Sequence, residues 1–364
     1  MKIISYRDKN IMRCKNYHAA QHRAGDMAII GGTSVRDDEA SMATRAAWLH
    51  YAGGLTQAEV AKRLGLTSLK AHRLIMKANQ EGLVKVYIDG DVSECVELEQ
   101  KLSSRYGLDY CEVVPDFDSE DLPLKALGIS GAQFLRREIE RGETALIGVG
   151  HGRTLAASIE YMPRTASNNT RFVSLLGGLT RKFSANPHDV IHRLAERTGA
   201  EAYVMPVPFF ANTVEDRDVL FSQRGVREVF DLAKSADLLM VGIGTAEREA
   251  SLVATGMIEM SEIEQIQKCG GTGELLGHFF DEQGRPIETA LSELLGHFFD
   301  EKGRPIETAL SNRTFTLGRE DLKNRRTVAV AGGRIKTRAI RAVLGSGFLS
   351  GLVTDERTAQ ALAA

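Results

Sequence analysis

Seven short apolar runs place the strongest constraint on what this chain can fold into. Cys111–Val114, Ala145–Val149, Arg171–Leu176, Ala202–Val207, Leu238–Ile243, Thr327–Val330 and Gly351–Val353 are each of strand length. Segments with helical patterning accompany them: Leu122–Glu140, Thr154–Tyr161, His188–Thr198, Val226–Ser235, Lys336–Leu344 and Glu356–Leu362. Strands alternating with helices predict βα units around a largely parallel sheet. Few of the runs alternate strictly between apolar and polar residues, as expected of strands covered on both faces. An α/β fold is therefore expected over residues 92–364.

Upstream, Leu55–Ile88 (LTQAEVAKRLGLTSLKAHRLIMKANQEGLVKVYI) has a different layout: helix, tight turn, second helix, short β-ribbon. Thr56 stands as N-cap before a helix carrying Val60, Ala61 and Leu64 on one face; Gly65 permits a sharp turn and Leu66 plugs the corner. Thr67 caps a second helix, ended by Gly82, that buries Ala71, Leu74, Ile75 and Ala78 and turns Ser68, Lys70, His72, Arg73 and Lys77 outward. Leu83–Ile88 alternates as a wing strand does. This is the plan of a winged helix-turn-helix domain, assigned to residues 41–91. Ser68, Lys70, His72 and Arg73 would read bases or phosphates of double-stranded operator DNA, with Lys62, Arg63 and Lys85 on the backbone. An ordinary amphipathic helical hairpin with a solvated basic face is the alternative. Met42–Tyr51 is expected as a preceding helix with Ala46, Leu49 and Trp48 inward, and Val92–Tyr106 as a helix joining the domains. Residues 1–40 are expected to be a disordered extension, or to lie upstream of a true start at Met27 or Met42.

The formal net charge of −2 hides an asymmetry. From Met42 to Ile88 seven basic residues (Arg45, Lys62, Arg63, Lys70, Arg73, Lys77, Lys85) face two acidic ones (Glu59, Glu81), so the remainder is acidic. A basic module on an acidic body suits a protein with one nucleic-acid surface. Apolar content of 43% with 26% charged residues suits a soluble globular chain. The four cysteines are scattered without a CxxC pair, which points to reduced thiols and no zinc site. No run approaches a membrane span, so a cytoplasmic location is expected.

In open α/β sheets ligands sit at the carboxyl ends of strands. Four loops there are rich in glycine: Gly148-Val149-Gly150-His151-Gly152-Arg153-Thr154, Gly177-Gly178, Gly242-Ile243-Gly244-Thr245 and Ala331-Gly332-Gly333-Arg334-Ile335-Lys336. Small residues let backbone amides approach a ligand, and a helix N-terminus favours electron-rich oxygens. The alternative for each is a simple turn, and for Lys336 simple exposure to solvent. The first loop lacks the third glycine of a dinucleotide fingerprint and the Gly-Lys-Ser/Thr ending of a Walker loop, so no cofactor is expected.

Residues 274–311 hold a tandem duplication: ELLGHFFDEQGRPIETALS is followed at once by ELLGHFFDEKGRPIETALS. The copies differ only at Gln283 and Lys302, and two 19-residue units are too few for a solenoid. Each offers an aspartate, Asp281 or Asp300, after an aromatic pair. A carboxylate there can accept hydrogen bonds from neighbouring sugar hydroxyls. His278 or His297 beside that aspartate reads as structural rather than metal-binding.

Together GLTQAEVAKRLGLTSLKAHRLI, IGVGHGRTL, VGIGT, GELLGHFFDEQGRPIE and VAVAGGRIKTRAIRAVL…LVTDERTAQAL resemble, in order, the SorC-type (SorC/DeoR) sugar-binding transcriptional regulators of bacteria. The resemblance implies a helix-turn-helix followed by a Rossmann-like effector and oligomerisation domain of the sugar-isomerase/deaminase-like type. It also implies homo-oligomers, usually tetramers, that answer to a sugar, polyol or sugar phosphate. Carried over by position, the effector residues are Gly150, Gly152, Arg153 and Thr154, then Gly242, Gly244 and Thr245, then Asp281 or Asp300, and Lys336. The chain departs from the family at His151, where a tryptophan is frequent, at Ala71 and His72 in place of valine and serine, and in carrying the GHFFD segment twice. One copy is expected to pair into the sheet while the other loops outward.

Two rival functions remain open. One is a sugar-phosphate isomerase or deaminase with a DNA-binding head, using Asp281, Asp300 or His151 as acid or base, although no paired acid and base can be placed. The other is a DNA-binding scaffold with a vestigial pocket.

Overall fold

A computed structural model describes residues 34–81, 83–84, 93–116, 122–167, 169–180, 184, 186, 188–287 and 313–364. The chain divides into two compact units, Met1–Val86 and Tyr87–Ala364. No helix among the described residues is long and apolar enough to cross a membrane.

In the first unit, α1 (Ser34–Ala47) starts upstream of Met42, inside the stretch expected to be disordered, and runs into a π-helical turn, Trp48–Ala52. That turn leaves Trp48 66% exposed rather than inward, while Ala46 and Leu49 are buried as expected. Helices α2 (Gln57–Leu64) and α3 (Ser68–Gln80) follow. Thr56 and Glu59 form a reciprocal capping box at the start of α2, with Thr56 N donating to Glu59 Oε2 at 2.8 Å. Gly65, at φ +66°, makes the left-handed corner, and Lys70 N donates to Thr67 Oγ1 at the start of α3. The core between the helices is built largely from small side chains, Ala43, Ala46, Ala61, Ala71 and Ala78, around Val60, Leu74 and Ile75. Helix α3 ends at Gln80 with Glu81 as its C-cap, and Gly82, expected to end it, lies outside the described residues. Of the expected wing, Leu83 and Val84 carry no strand; the rest, Lys85 included, lies outside the described residues.

The second unit opens with α4 (Ser93–Tyr106), β1 (Tyr110–Val114), α5 (Leu124–Arg141), β2 (Leu146–Val149), α6 (Arg153–Tyr161), β3 (Arg171–Ser174), α7 (Ile191–Thr198) and β4 (Ala202–Tyr203). It continues through α8 (Val214–Phe221), α9 (Arg224–Lys234), β5 (Leu238–Val241), β6 (Gly244–Thr245), α10 (Ser251–Ala254), α11 (Met260–Lys268), β7 (Gly273–Leu275) and β8 (His278–Phe280). It closes with α12 (Arg319–Leu322), β9 (Thr327–Val330), α13 (Thr337–Gly345), β10 (Gly351–Asp355) and α14 (Glu356–Ala363).

All seven apolar runs enter one parallel sheet, in the order β1-β10-β9-β5-β2-β3-β4. Successive strand residues feed opposite cores. Ile147, Phe172, Leu238, Met240, Val328 and Val353 pack with α5, α6 and α7. Leu146, Val173, Leu239, Val241, Ala329 and Leu352 pack with residues of α4, α9, α11, α13 and α14. Strands β2, β5, β9 and β10 are buried along their whole length, so their runs show no polar alternation. From β2 the order runs outward through β3 and β4, whereas β5, β9 and β10 run outward on the other side. The order thus reverses between β2 and β5, which Ile147 joins to Leu238.

The duplicated copy expected to pair into the sheet enters instead a second, antiparallel one, β6-β7-β8. Its hairpin is made by the first duplicated copy, with Leu276 (φ 49°) and Gly277 (φ 80°) as a two-residue turn of the kind that needs two positive φ angles. The second copy lies outside the described residues. The two copies are not equivalent tenants of this hairpin. A Cβ on Gly273 would stand 2.5 Å from the carbonyl oxygen of Ala339, and the residue preceding the second copy is Ser292. Gln283 also accepts from Arg285 Nη2 at 3.3 Å, where Lys302 would instead set one cation against another. Gly273→Ser should therefore lower the unfolding free energy by about 1–3 kcal/mol, the usual cost of overfilling a packed site. Deleting residues 293–311 should not lower the unfolding midpoint, the shorter connection adding about 1 kcal/mol of stability at most. Denaturant titration reads both, and a stable Gly273→Ser variant would show that Ser292 is no obstacle.

Candidate effector cavity

Because the strand order reverses between β2 and β5, the chain leaving each strand diverges and opens a crevice at their carboxyl ends. A cavity of about 60 Å³ lies there. From β2 come His151, Gly152, Arg153 and Thr154; from β5 come Gly242, Ile243, Gly244 and Thr245; Lys336 enters from the loop before α13. The structure thus brings seven expected residues around one space: Gly152, Arg153, Thr154, Gly242, Gly244, Thr245 and Lys336. Gly150 stands behind the wall, its amide donating to Met240 O at 2.9 Å. Gly177 is held by packing, since a Cβ would overlap the backbone of Pro208.

Lys336 is buried, not solvent-exposed, and its Nζ donates to Ile243 O at 2.8 Å. Burial, aided by the charge of Arg153 and opposed by Glu274, lowers its pKa to about 8. Thr154 is turned away, donating through Oγ1 to Val330 O at 2.7 Å.

Asp281 is placed elsewhere. Its carboxylate accepts from the amides of Gln283 (3.0 Å) and Arg285 (2.9 Å) and from Arg285 Nε (2.7 Å), closing the turn after β8. Desolvation raises its pKa, but these bonds outweigh it and hold the carboxyl below the ordinary range. Asp300 lies outside the described residues. His278 points Nε2 at Leu317 O, 2.9 Å away.

The carboxylate that does line the cavity is Glu274, the first residue of the same duplicated segment. Pairing of β6 with β7 sets it opposite Gly244, where a Cβ would overlap Glu274 Oε2. Its Oε1 accepts from Gly277 N at 2.6 Å. Burial raises its pKa from 4.5 to about 7, against the pull of that amide and of Lys336. Only its glycine-glutamate flank marked it in sequence, because its position comes from a strand pairing of two residues.

Asn186 lines the cavity beside His151. Burial, with the charge of His188, lowers the His151 pKa to about 3, so its imidazole is neutral; its ring packs edge-on against Phe209. His151 Nδ1, Arg153 Nε and Asn186 Nδ2 are buried and have no hydrogen-bond partner among the described residues. Buried polar atoms are rarely left so, and each costs about 1–3 kcal/mol when unmet. Among the described residues no cluster could hold a metal ion.

A parallel α/β unit with this polar crevice at its switch point is a small-molecule-binding domain in its make-up. The family model described as "Putative sugar-binding domain" matches residues 90–295 and 288–364, the match breaking inside the duplication. The chain is 58% identical over 326 residues, 90% of its length and 97% of the relative's, to the erythritol catabolism regulatory protein EryD of Brucella abortus. It is 31% identical over 90% of its length, and 94% of the relative's, to the transcriptional regulator LsrR of Klebsiella pneumoniae. In fold it is similar to the full-length sorbitol operon regulator SorC of Klebsiella pneumoniae (TM-score 0.61, 24% identity, 90% of this chain and 100% of that one). The chain belongs to the SorC-type sugar-binding transcriptional regulators.

Glu274 has a measurable signature. Its folded pKa is raised, so the stability of the protonated form is complete below pH 4.5 and is lost as pH rises through about 7. The loss is about 3 kcal/mol at most. In the absence of ligand, Glu274→Gln should match the wild type near pH 5 and unfold at a higher temperature near pH 8. Parallel melting curves across that range would remove Glu274 from the cavity's electrostatics.

Proposed function

We propose that this protein is a DNA-binding regulator of a carbohydrate or polyol catabolic operon, controlled by a small polyhydroxylated effector in the Glu274–Lys336 cavity. Three buried atoms of this cavity with no partner among the described residues, His151 Nδ1, Arg153 Nε and Asn186 Nδ2, carry this reading. Arg153 and Asn186 offer donors, Glu274 offers an acceptor, and the neutral imidazole can do either. Hydroxyl groups, which donate and accept, meet such a mixed set better than a purely accepting anion does. At about 10–15 Å³ per water-sized group, the cavity suits about four to six such groups. The similarity to an erythritol catabolism regulator agrees with a short polyol.

The winged helix-turn-helix reading of the first unit supplies the output. Ser68, Lys70, His72 and Arg73 are all exposed on α3, and Lys62 and Arg63 on α2, which suits contact with operator DNA. Lys77 is occupied, its Nζ 3.1 Å from Glu39. A homo-oligomer, a tetramer by family resemblance, would present paired α3 helices to two half-sites, and effector binding would bias their spacing.

One observation favours a second reading. A carboxyl titrating near 7 beside an ammonium titrating near 8 is suited to proton transfer, so a sugar-isomerase activity is the alternative.

A melting screen of the full chain against polyols, sugars and their phosphates tests the proposal. A free polyol at about 100 times its Kd should stabilise the protein by about 2.7 kcal/mol, and Arg153→Ala should abolish the shift. Arg73→Ala should weaken operator binding by about 1–3 kcal/mol in a gel shift. A shift confined to phosphorylated sugars would overturn the polyol assignment, and turnover of the stabilising compound would favour the enzyme.

A further inference from the structure

Opposite its buried residues Ala71, Leu74, Ile75 and Ala78, α3 presents a stripe formed by Leu69, Arg73 and Met76. At 100° per residue Arg73 and Met76 stand within about 40° of Leu69, so the three share the outermost line of the helix. Leu69 is 68% exposed and Met76 42%. A solitary exposed apolar side chain needs no explanation. This leucine, however, is the second residue of α3, in a helix pair whose exposed side chains include the cations Lys62, Arg63, Lys70 and Arg73. A surface so charged repels a second copy of itself and attracts a polyanion. Along the major-groove edge of DNA the one apolar group is the 5-methyl of thymine. In helix-turn-helix docking it is the N-terminal residues of the second helix that meet base edges.

We propose that Leu69 is a specificity-determining residue that reads a thymine methyl group in the major groove. The proposal rests on the reading of α3 as the DNA-reading helix and adds to it a base preference that the polar residues do not supply. Arg73, one turn on, is left for a purine edge or a phosphate, and the leucine separates thymine from cytosine at the neighbouring step, since only thymine carries the methyl.

The test uses the full-length chain and a duplex that it enriches from a randomised pool. Each thymine of that duplex is replaced in turn by deoxyuridine, which removes the methyl and keeps the pairing. At one thymine per half-site the wild type should lose about fourfold in affinity, the worth of one buried methyl group. Leu69→Ala, a change at a position without buried contacts, should bind the thymine duplex about as weakly as the wild type binds a duplex with uracil at that step in both half-sites. It should then show no further loss on uracil. A full methyl effect retained in Leu69→Ala, or no methyl effect at any position in the wild type, overturns the assignment of Leu69. Failure of the full-length chain to enrich any duplex would instead overturn the underlying reading of α3.

Discussion

The reversal of strand order between β2 and β5 is the constraint on which the second unit depends. Neighbouring parallel strands share a ladder, Ile147 against Leu238 and Val149 against Met240, yet the chain leaves them toward opposite faces. After β2 it enters α6, packed on one core; after β5 it reaches α10 and α11, packed on the other. Two backbones that separate after lying one ladder apart leave a gap, and the residues lining it must be small enough not to close it. Gly242 faces His151 O and Thr154 Oγ1 across this gap. The crevice is thus a product of topology before any ligand chemistry is added.

What the chain adds is a buried carboxylate, and its position costs free energy in two places. Glu274 is desolvated, which raises its pKa. Leu276, two residues on, holds a positive φ without being glycine, a strain of about 1–3 kcal/mol. Burial of the Leu276 side chain against the crevice offsets the strain, since it is 4% exposed and burying a leucine contributes about 1.5–3 kcal/mol. Local strain and a perturbed acid are thus gathered in one hairpin beside Lys336, as functional sites tend to gather them.

The contrast between what sequence revealed and what it hid has a common cause. Strands were legible because both faces are buried, which leaves long apolar runs; the same property blurred their ends. The run Ala202–Val207 leaves the regular ladder with β3 after Tyr203, where Met205 and Val207 turn to a separate core with Phe230 and Phe315. Arg171–Leu176 similarly leaves the ladder after Ser174, Leu176 bridging to Thr316. The glycine loops were legible because each follows a strand. Glu274 was not, since only the distant pairing of β6 with β7 carries it inward, whereas Asp281, the carboxylate expected from sequence, is occupied by Arg285, four residues later. In the first unit the caps, the Gly65 corner and the exposed cations follow from local rules, and they needed no distant partner to be read.

The duplication shows how unequal two nearly identical segments become once the fold chooses between them. The hairpin's exit is fixed by Ile287, whose amide donates to Phe279 O at 2.7 Å. The chain is fixed again at Arg313, paired with Glu262 at 2.6 Å. Nineteen extra residues between these anchors lengthen the connection about fourfold, which raises its closure cost by only about 1 kcal/mol. The insertion is therefore cheap wherever its ends are held. Choice of copy is a separate matter, decided by single contacts: a glycine beside Ala339 O at the hairpin's entry and a glutamine beside Arg285 at its turn. The second copy has Ser292 and Lys302 at those positions, so both differences act in the same direction. The carboxylate that lines the crevice is accordingly Glu274, although in sequence the eight residues after it are the same as those after Glu293.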